Sequence, residues 1–490
     1  MIIEIKHGKI KGTREGDMLA FKNIPFAKPP VGELRFKPPV PVEDWTGVLD
    51  CTQYGPRPCQ NPPPWCEDRD TAVYSEDCLN LNVWTPAIDN KKRPVAFYIF
   101  GGGHMEGSNS EIGYSGPNLA HGRDIVVVTA NYRLGALGYL YLGHLLGEEY
   151  KASGSLGLLD QVLALKWVRD NISYFGGDPE KITIIGQSAG AKSVCSLLVN
   201  PEAKGLFRGA VAMSGALQCI TDIETDMALT RNFLKAMNLA EQDAHKLLDC
   251  EVKDILLAQE KANETYFKAE SYGPTADGVV LPLNIEKYIK EGNVPQIPVI
   301  IGYTKQELWP YPGSDHSHVS LSEIKARMTW KFGDNGAYVM KKFQEYGQNT
   351  DFMEAYGKVM TDYTYIQGCI RTANYLVDAG LPVWMYRWDF KGGLIANHSS
   401  DVEALFGRTN PQKRNWNKEI SDRIDYTFQD AILNFIVEGV PSSSYLPDWK
   451  VCKSNNGFQM IFDEVYKLIE IDLNGYDKDF PLQVMRLKHP

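Results

Sequence analysis

Along this chain, short runs of continuous apolar residues recur between longer stretches whose apolar positions return every three or four residues. The continuous runs are "PVAFYIF" (94–100), "DIVVVTA" (124–130), "KITII" (181–185), "GAVAMS" (209–214), "IPVIIGY" (297–303) and "PVWMYRW" (382–388). β-Branched and aromatic residues dominate them, and apolarity on both faces marks strands covered on both sides, as in a mainly parallel sheet. Between the second and third runs, "GLLDQVLALKWVRDNISYF" carries apolar residues at helical spacing and meets a stop and turn at "GGDP". Strand–helix–strand alternation of this kind predicts an α/β fold. The segments from roughly 220 to 295 and from 310 to 380 are mostly helical in pattern. They read as insertions packed over one end of the sheet, with no boundary that separates them, so residues 1–490 are expected to form a single domain.

Composition narrows the partners. The chain has 490 residues, is 43% hydrophobic and 23% charged, and carries a net charge of −10 without a dense Lys/Arg block. Nucleic acid and anionic membrane are therefore not expected as main partners. No apolar run approaches the roughly 18 residues of a membrane span, and "MIIEIKHGKIKG" does not resemble a secretory leader. The expected location is cytoplasmic, although a removed signal peptide leaves the same picture. The nine cysteines show no zinc-site spacing, and the reading calls for no metal and no cofactor. His316 and His318 in "SDHSHVS" read as a solvated loop.

Chemistry enters at "KITIIGQSAGAKSV". "GQSAG" is the only G-x-S-x-G in the chain and sits where a strand ends and a helix begins. That is the setting of a nucleophile elbow, in which a sharp corner presents the serine at the carboxyl end of the sheet. Gly186 and Gly190 remove side chains that would collide at the corner, and Ser188 leads into a helix N-terminus that favours developing negative charge. The alternative, a serine that only caps a turn, has less support in this context. A second glycine cluster, Gly101, Gly102 and Gly103 in "YIFGGGHMEGS", directly follows a strand. No P-loop Lys-Ser/Thr follows it, so bare N–H groups for an oxyanion are the better reading.

Long, irregular motifs then carry a resemblance. They include "NIPFAKPPVGELRFKPPVPVEDWTG" (23–47), "SEDCLNLNVWTP" (75–86), "GGGHMEGS" (101–108), "NYRLGALGYL" (131–140), the stretch 154–190 and "YGPTADGVVLP" (272–282). In these the chain resembles the type B carboxylesterases, the cholinesterase-like branch of the α/β-hydrolases. The resemblance implies an α/β-hydrolase fold and a serine carboxylesterase acting on a small-molecule ester through an acyl-enzyme. It places the acid at Glu307 in "IIGYTKQELW" and the base at His398 in "GGLIANHSSDVEALFG". His398 would take the serine proton, Glu307 would hold the imidazole, and the N–H groups of Gly102, Gly103 and Ala189 would bind the oxyanion. His104 and His144 are the rivals as base, with His104 expected as a pocket wall. Aromatic stretches at 307–313 and 361–367 are expected to line the gorge.

Some positions depart from the family pattern. Gln187 stands where cholinesterases and many relatives have glutamate, and the loop before Cys78 is short and proline-rich, so choline esters are not the expected substrate. Cys59 and Cys78 match the family's first disulfide, whereas only Cys250 fits the second. Asn397-His398-Ser399 is a formal glycosylation sequon overlapping the base, which fits a chain that avoids a eukaryotic secretory route. Two other readings remain open at this point: a non-catalytic cholinesterase-like binding protein, and an amidase or peptidase on the same fold. Retention of Ser188, Glu307 and His398 disfavours the first. The pattern says nothing of oligomeric state.

Overall fold

A computed structural model describes residues 1–62, 66, 68, 70–111, 113–265, 272–308, 320–348, 350–392, 395–407, 417–454 and 456–480. One large sheet organises it. Its strands, in chain order, are β1 (Thr13–Glu15), β2 (Met18–Pro25), β3 (Asn80–Thr85), β4 (Arg93–Ile99), β5 (Val126–Ala130) and β6 (Gly177–Gln187). They continue with β7 (Gly209–Met213), β8 (Val299–Thr304), β9 (Val383–Trp388), β10 (Gly457–Phe462) and β11 (Lys467–Ile471). The spatial order is β11-β10-β9-β8-β7-β6-β4-β5-β3-β2-β1. Every pairing from β10 to β5 is parallel, and the outer pairings are antiparallel.

The six apolar runs all lie in the parallel part, where strands are buried and few positions are polar. Val95, Phe97, Val127, Ile184, Val211, Ile300 and Met385 are all fully buried. The outer strands were not legible as strands, because they are short or half-covered and their pattern is mixed. Lys467–Ile471, for example, has no buried residue. "GGDP" also differs from its reading. Gly176 takes the left-handed turn at φ 75°, but Gly177 already pairs with Arg93, and a bulge carries the strand on to Ile182.

The chain leaves β4, adds β5 on one side, and returns through the helix α1 (Leu156–Asn171) to place β6 on the other side of β4. This reversal opens a crevice at the carboxyl ends of β4 and β6, the usual ligand position in an open α/β sheet. β6 ends in the serine corner and runs into the helix α2 (Ala189–Leu198), all of whose residues are buried.

Helices populate both inserted segments. Ile223–Ala236 and Val252–Thr265 belong to the first. Leu321–Phe332, Gly336–Tyr346, Phe352–Thr361 and Gln367–Asp378 belong to the second. Three of these starts carry side-chain caps: Asp222 accepts from Thr225 N–H, Ser320 from Glu323 N–H, and Asp351 from Met353 and Glu354 N–H. Each insertion adds an apolar cluster, one joining Phe233, Leu247 and Ile255 to Leu137 and Leu156, the other built from Ile324, Phe332, Val339 and Val359. Among the described residues no helix is long and apolar enough to cross a membrane.

Candidate active site

The corner after β6 is sterically exacting. Ser188 has φ 55° and ψ −122°, a conformation that costs a non-glycine residue about 1–3 kcal/mol and persists only where the surroundings fix it. They do so through two backbone bonds, Ser188 N–H to Met213 C=O at 2.9 Å and Lys192 N–H to Ser188 C=O at 2.9 Å. A methyl group on Gly186 would lie 2.3 Å from the Gly190 carbonyl oxygen, and one on Gly190 would lie 2.1 Å from that of Ile99. Both positions are therefore closed to any side chain while the corner keeps this shape.

The glycine loop after β4 lies against this corner. A methyl on Gly101 would come 3.2 Å from Ser188 Cβ. Gly102 and Gly103 have φ of 100° and 63°, and the Gly102 carbonyl accepts from the N–H groups of Met105 and Glu106 at 2.9 and 3.0 Å. Among the described residues, no hydrogen bond occupies the N–H of Gly102, Gly103 or Ala189. Three free donors thus flank the serine.

The residues expected as acid and base, Glu307 and His398, come from loops after β8 and β9. Glu307 is fully buried in its side chain, and His398 Nδ1 lies 2.5 Å from its Oε2. Glu307 Oε1 accepts from Thr304 N–H at 2.7 Å. Two backbone bonds lace the loops together, His398 N–H to Glu307 C=O at 3.1 Å and Gln306 N–H to Ala396 C=O at 2.9 Å. With Nδ1 turned to the carboxylate, Nε2 is the nitrogen left to exchange a proton. Nε2 stands 3.2 Å from Gln187 Nε2, and that amide also donates to Ser399 Oγ at 2.9 Å. Among the described residues no hydrogen bond joins His398 to Ser188 Oγ.

Further groups lie around this site. The Tyr365 ring packs on the His398 ring at 4.8 Å between centroids, from a π-helical turn over Asp362–Ile366. Thr361 Oγ1, just before that turn, accepts from Leu308 N–H at 3.1 Å. The aromatic stretch 361–367 therefore reaches the site, while residues 309–313 of the other stretch lie outside the described residues. Asp401 is fully buried, accepts from Tyr386 O–H at 2.6 Å, and is pushed up to about 6 by burial and by the nearby Glu307 charge. Burial likewise pushes Glu106 and Glu111, beyond the glycine loop, up to about 7. Asp401, Glu106 and Glu111 carry no distinguishing sequence pattern, and only their neighbours single them out.

His104 is not the pocket wall expected of it. Its side chain is buried, with Nε2 3.2 Å from Ser193 Oγ, because the left-handed backbone at φ 58° turns it inward toward α2. His144 stacks on Tyr141 at 5.6 Å, where burial lowers its basicity. His316 and His318 lie outside the described residues. Cys59 and Cys78 are both buried free thiols lining one cavity with Arg35, Glu76 and Arg133. Asn397, the sequon residue, accepts from Ser400 Oγ at 2.7 Å.

Comparison with known proteins agrees with this arrangement of elements. The model of the carboxylesterase family matches residues 1–475. The para-nitrobenzyl esterase of Bacillus subtilis is 36% identical over 475 residues, covering 94% of each chain. The liver carboxylesterase of Sus scrofa is 30% identical, covering 94% of this chain and 89% of its own. Among solved structures, a Geobacillus stearothermophilus carboxylesterase superposes with a TM-score of 0.85 at 33% identity, covering 98% of this chain and 100% of that one. A thermophilic pNB esterase gives 0.86 at 33% identity, covering 96% and 97%. The chain therefore has the α/β-hydrolase fold and belongs to the carboxylesterase family, as a serine hydrolase of carboxylic esters.

Proposed function

We propose that Ser188, His398 and Glu307 form the catalytic triad and that the N–H groups of Gly102, Gly103 and Ala189 form the oxyanion hole. The single observation that carries this is the convergence of a strained Ser188 corner, unoccupied N–H donors and a 2.5 Å Glu307–His398 pair at one crevice. An ester carbonyl entering there draws Ser188 Oγ and His398 Nε2 into reach; such bonds are commonly open before substrate arrives.

Ser188 Oγ attacks the carbonyl carbon while its proton passes to His398 Nε2. Glu307 stabilises the imidazolium that forms, and the carbonyl oxygen, now negative, takes the three N–H donors. Collapse of the intermediate breaks the ester C–O bond, and His398 returns the proton to the leaving alcohol. Water then repeats the sequence on the acyl-enzyme, releasing the carboxylic acid and restoring Ser188.

The substrate class we propose is an uncharged carboxylic ester. Gln187 brings an amide rather than a carboxylate to His398, and among relatives one is named for para-nitrobenzyl esters. We also propose that the chain acts as one domain, since its main apolar core draws on residues from Ile5 to Leu473. The test is hydrolysis of p-nitrophenyl acetate, butyrate and octanoate and of a p-nitrobenzyl ester by wild type and Ser188→Ala. Turnover by wild type with a loss of about 10⁵-fold in the variant is expected. Activity that survives in the variant overturns the assignment of the nucleophile.

A further inference from the structure

We propose that His104 is a positioning residue that ties the oxyanion loop to the nucleophile helix through Ser193. It follows Gly103 directly, and it is the one non-glycine residue of the loop turn 102–104 held at positive φ, at 58°. A side chain there opposes its own backbone by about 1–2 kcal/mol, so contacts elsewhere must hold the turn.

Those contacts are on every side of the residue. The His104 carbonyl accepts from Gly135 N–H at 2.7 Å. The ring packs 4.8 Å from Tyr139 and 6.4 Å from Tyr132 between centroids, and the residue is only 1% exposed. Nε2 lies 3.2 Å from Ser193 Oγ, and Gln161 Nε2 donates to the same oxygen at 3.1 Å. With Gln161 donating, the serine's own hydrogen is available to Nε2.

The placement of these three residues gives the bond its significance. Ser193 lies on α2, the helix that begins with Ala189, and Gln161 lies on α1. The loop supplies two of the three proposed oxyanion donors and α2 supplies the third. The His104–Ser193 bond is thus a side-chain cross-link between the two elements whose relative position sets the hole. Oxyanion stabilisation depends on donors held 2.7–3.1 Å from the developing charge, and a displacement of about 1 Å costs on the order of 10²-fold. A purely apolar ring would fill the same space without fixing a direction. This inference rests on the oxyanion-hole assignment above.

Side-chain length makes the test selective. Glutamine places its accepting Oε1 at the same reach as histidine Nε2, whereas the asparagine amide stops one atom short of Ser193. Asparagine, however, tolerates the left-handed backbone better than glutamine. If the bond positions the hole, His104→Asn lowers kcat about 10- to 100-fold with KM within about twofold and an unchanged or higher Tm. His104→Gln restores most of kcat despite an equal or lower Tm. Ser193→Ala falls with His104→Asn, and the double variant loses little more. Affinity for a trifluoromethyl ketone, which forms the oxyanion on the serine, falls in parallel with kcat.

Wild-type kcat in both His104→Asn and Ser193→Ala overturns the proposal, as does a kcat that follows Tm rather than the bond. The underlying reading fails differently. Active Ser188→Ala, or wild type that does not bind the ketone, removes the serine mechanism itself, whatever His104 does.

Discussion

The two halves of the candidate site are built by different physics. On the nucleophile side, backbone geometry does the work: a strained corner, glycines that leave no room for a Cβ, and N–H groups at a helix start. On the base side, side chains do it: a buried Glu307 carboxylate, a 2.5 Å bond to His398 and an aromatic ring against the imidazole. The first half is intolerant of added atoms and the second of lost ones. That difference explains why the proposed nucleophile half leaves a compact five-residue signature, while the proposed acid and base are 91 residues apart in sequence.

Substitutions on the two sides should therefore fail in different ways. On the base side, His398→Ala is expected to lower kcat by about 10⁴- to 10⁶-fold without affecting folding, because the proton acceptor is gone. Glu307→Gln should lose less, about 10²- to 10⁴-fold, as the imidazole loses its orientation and its counter-charge. Stopped-flow acylation and thermal unfolding together check both, and a large drop in Tm with modest loss of kcat in His398→Ala would contradict this division.

On the nucleophile side, Gly190→Ala must displace either β4 or α2, since the new methyl would meet the Ile99 carbonyl at 2.1 Å. A fall in kcat of about 10²-fold together with a lower Tm is expected. Unchanged activity would mean that the corner is not sterically fixed.

Tyr365 sharpens the comparison from the base side. Removing its ring by Tyr365→Ala frees the His398 imidazole to rotate, and we expect about a tenfold loss in kcat with little change in KM. Tyr365→Phe keeps the ring and should retain nearly full activity. Equal losses in the two variants would assign the effect to the hydroxyl instead.

The smallest effect concerns a carboxylate outside the site. Asp226 is fully buried, accepts from Thr221 at 2.7 Å and from Thr275, and is pushed up to about 7 mainly by burial. Its pKa is raised on folding, so the folded state holds this proton more tightly than the unfolded chain. Its contribution is therefore complete below about pH 4 and is lost as pH rises through about 7. Asp226→Asn, which stays neutral, should raise Tm by about 1–3 °C at pH 8 relative to wild type and lose that advantage near pH 5, with kcat unchanged. A Tm difference that is the same at both pH values would show that Asp226 does not titrate on unfolding. Glu307 differs from Asp226 in having an imidazole partner as well as a backbone donor.

The sequence alone pointed to the parallel core and to the serine corner at Ser188, the proposed nucleophile. Short continuous apolar runs rich in β-branched residues fit strands covered on both faces, and a serine between spaced glycines at a strand-to-helix boundary fits few other structures. Glu307 and His398 were legible only through resemblance, because a lone glutamate or histidine has no local pattern. Only the tertiary structure decided that His104 turns inward, that Tyr365 lies on the base, and that Asp401 and Glu106 sit where burial raises their proton affinity. The physical reason is range. Strand pairing, corners and helix starts are set by neighbours within a few residues, whereas side-chain contact and desolvation depend on which distant segments the fold brings together.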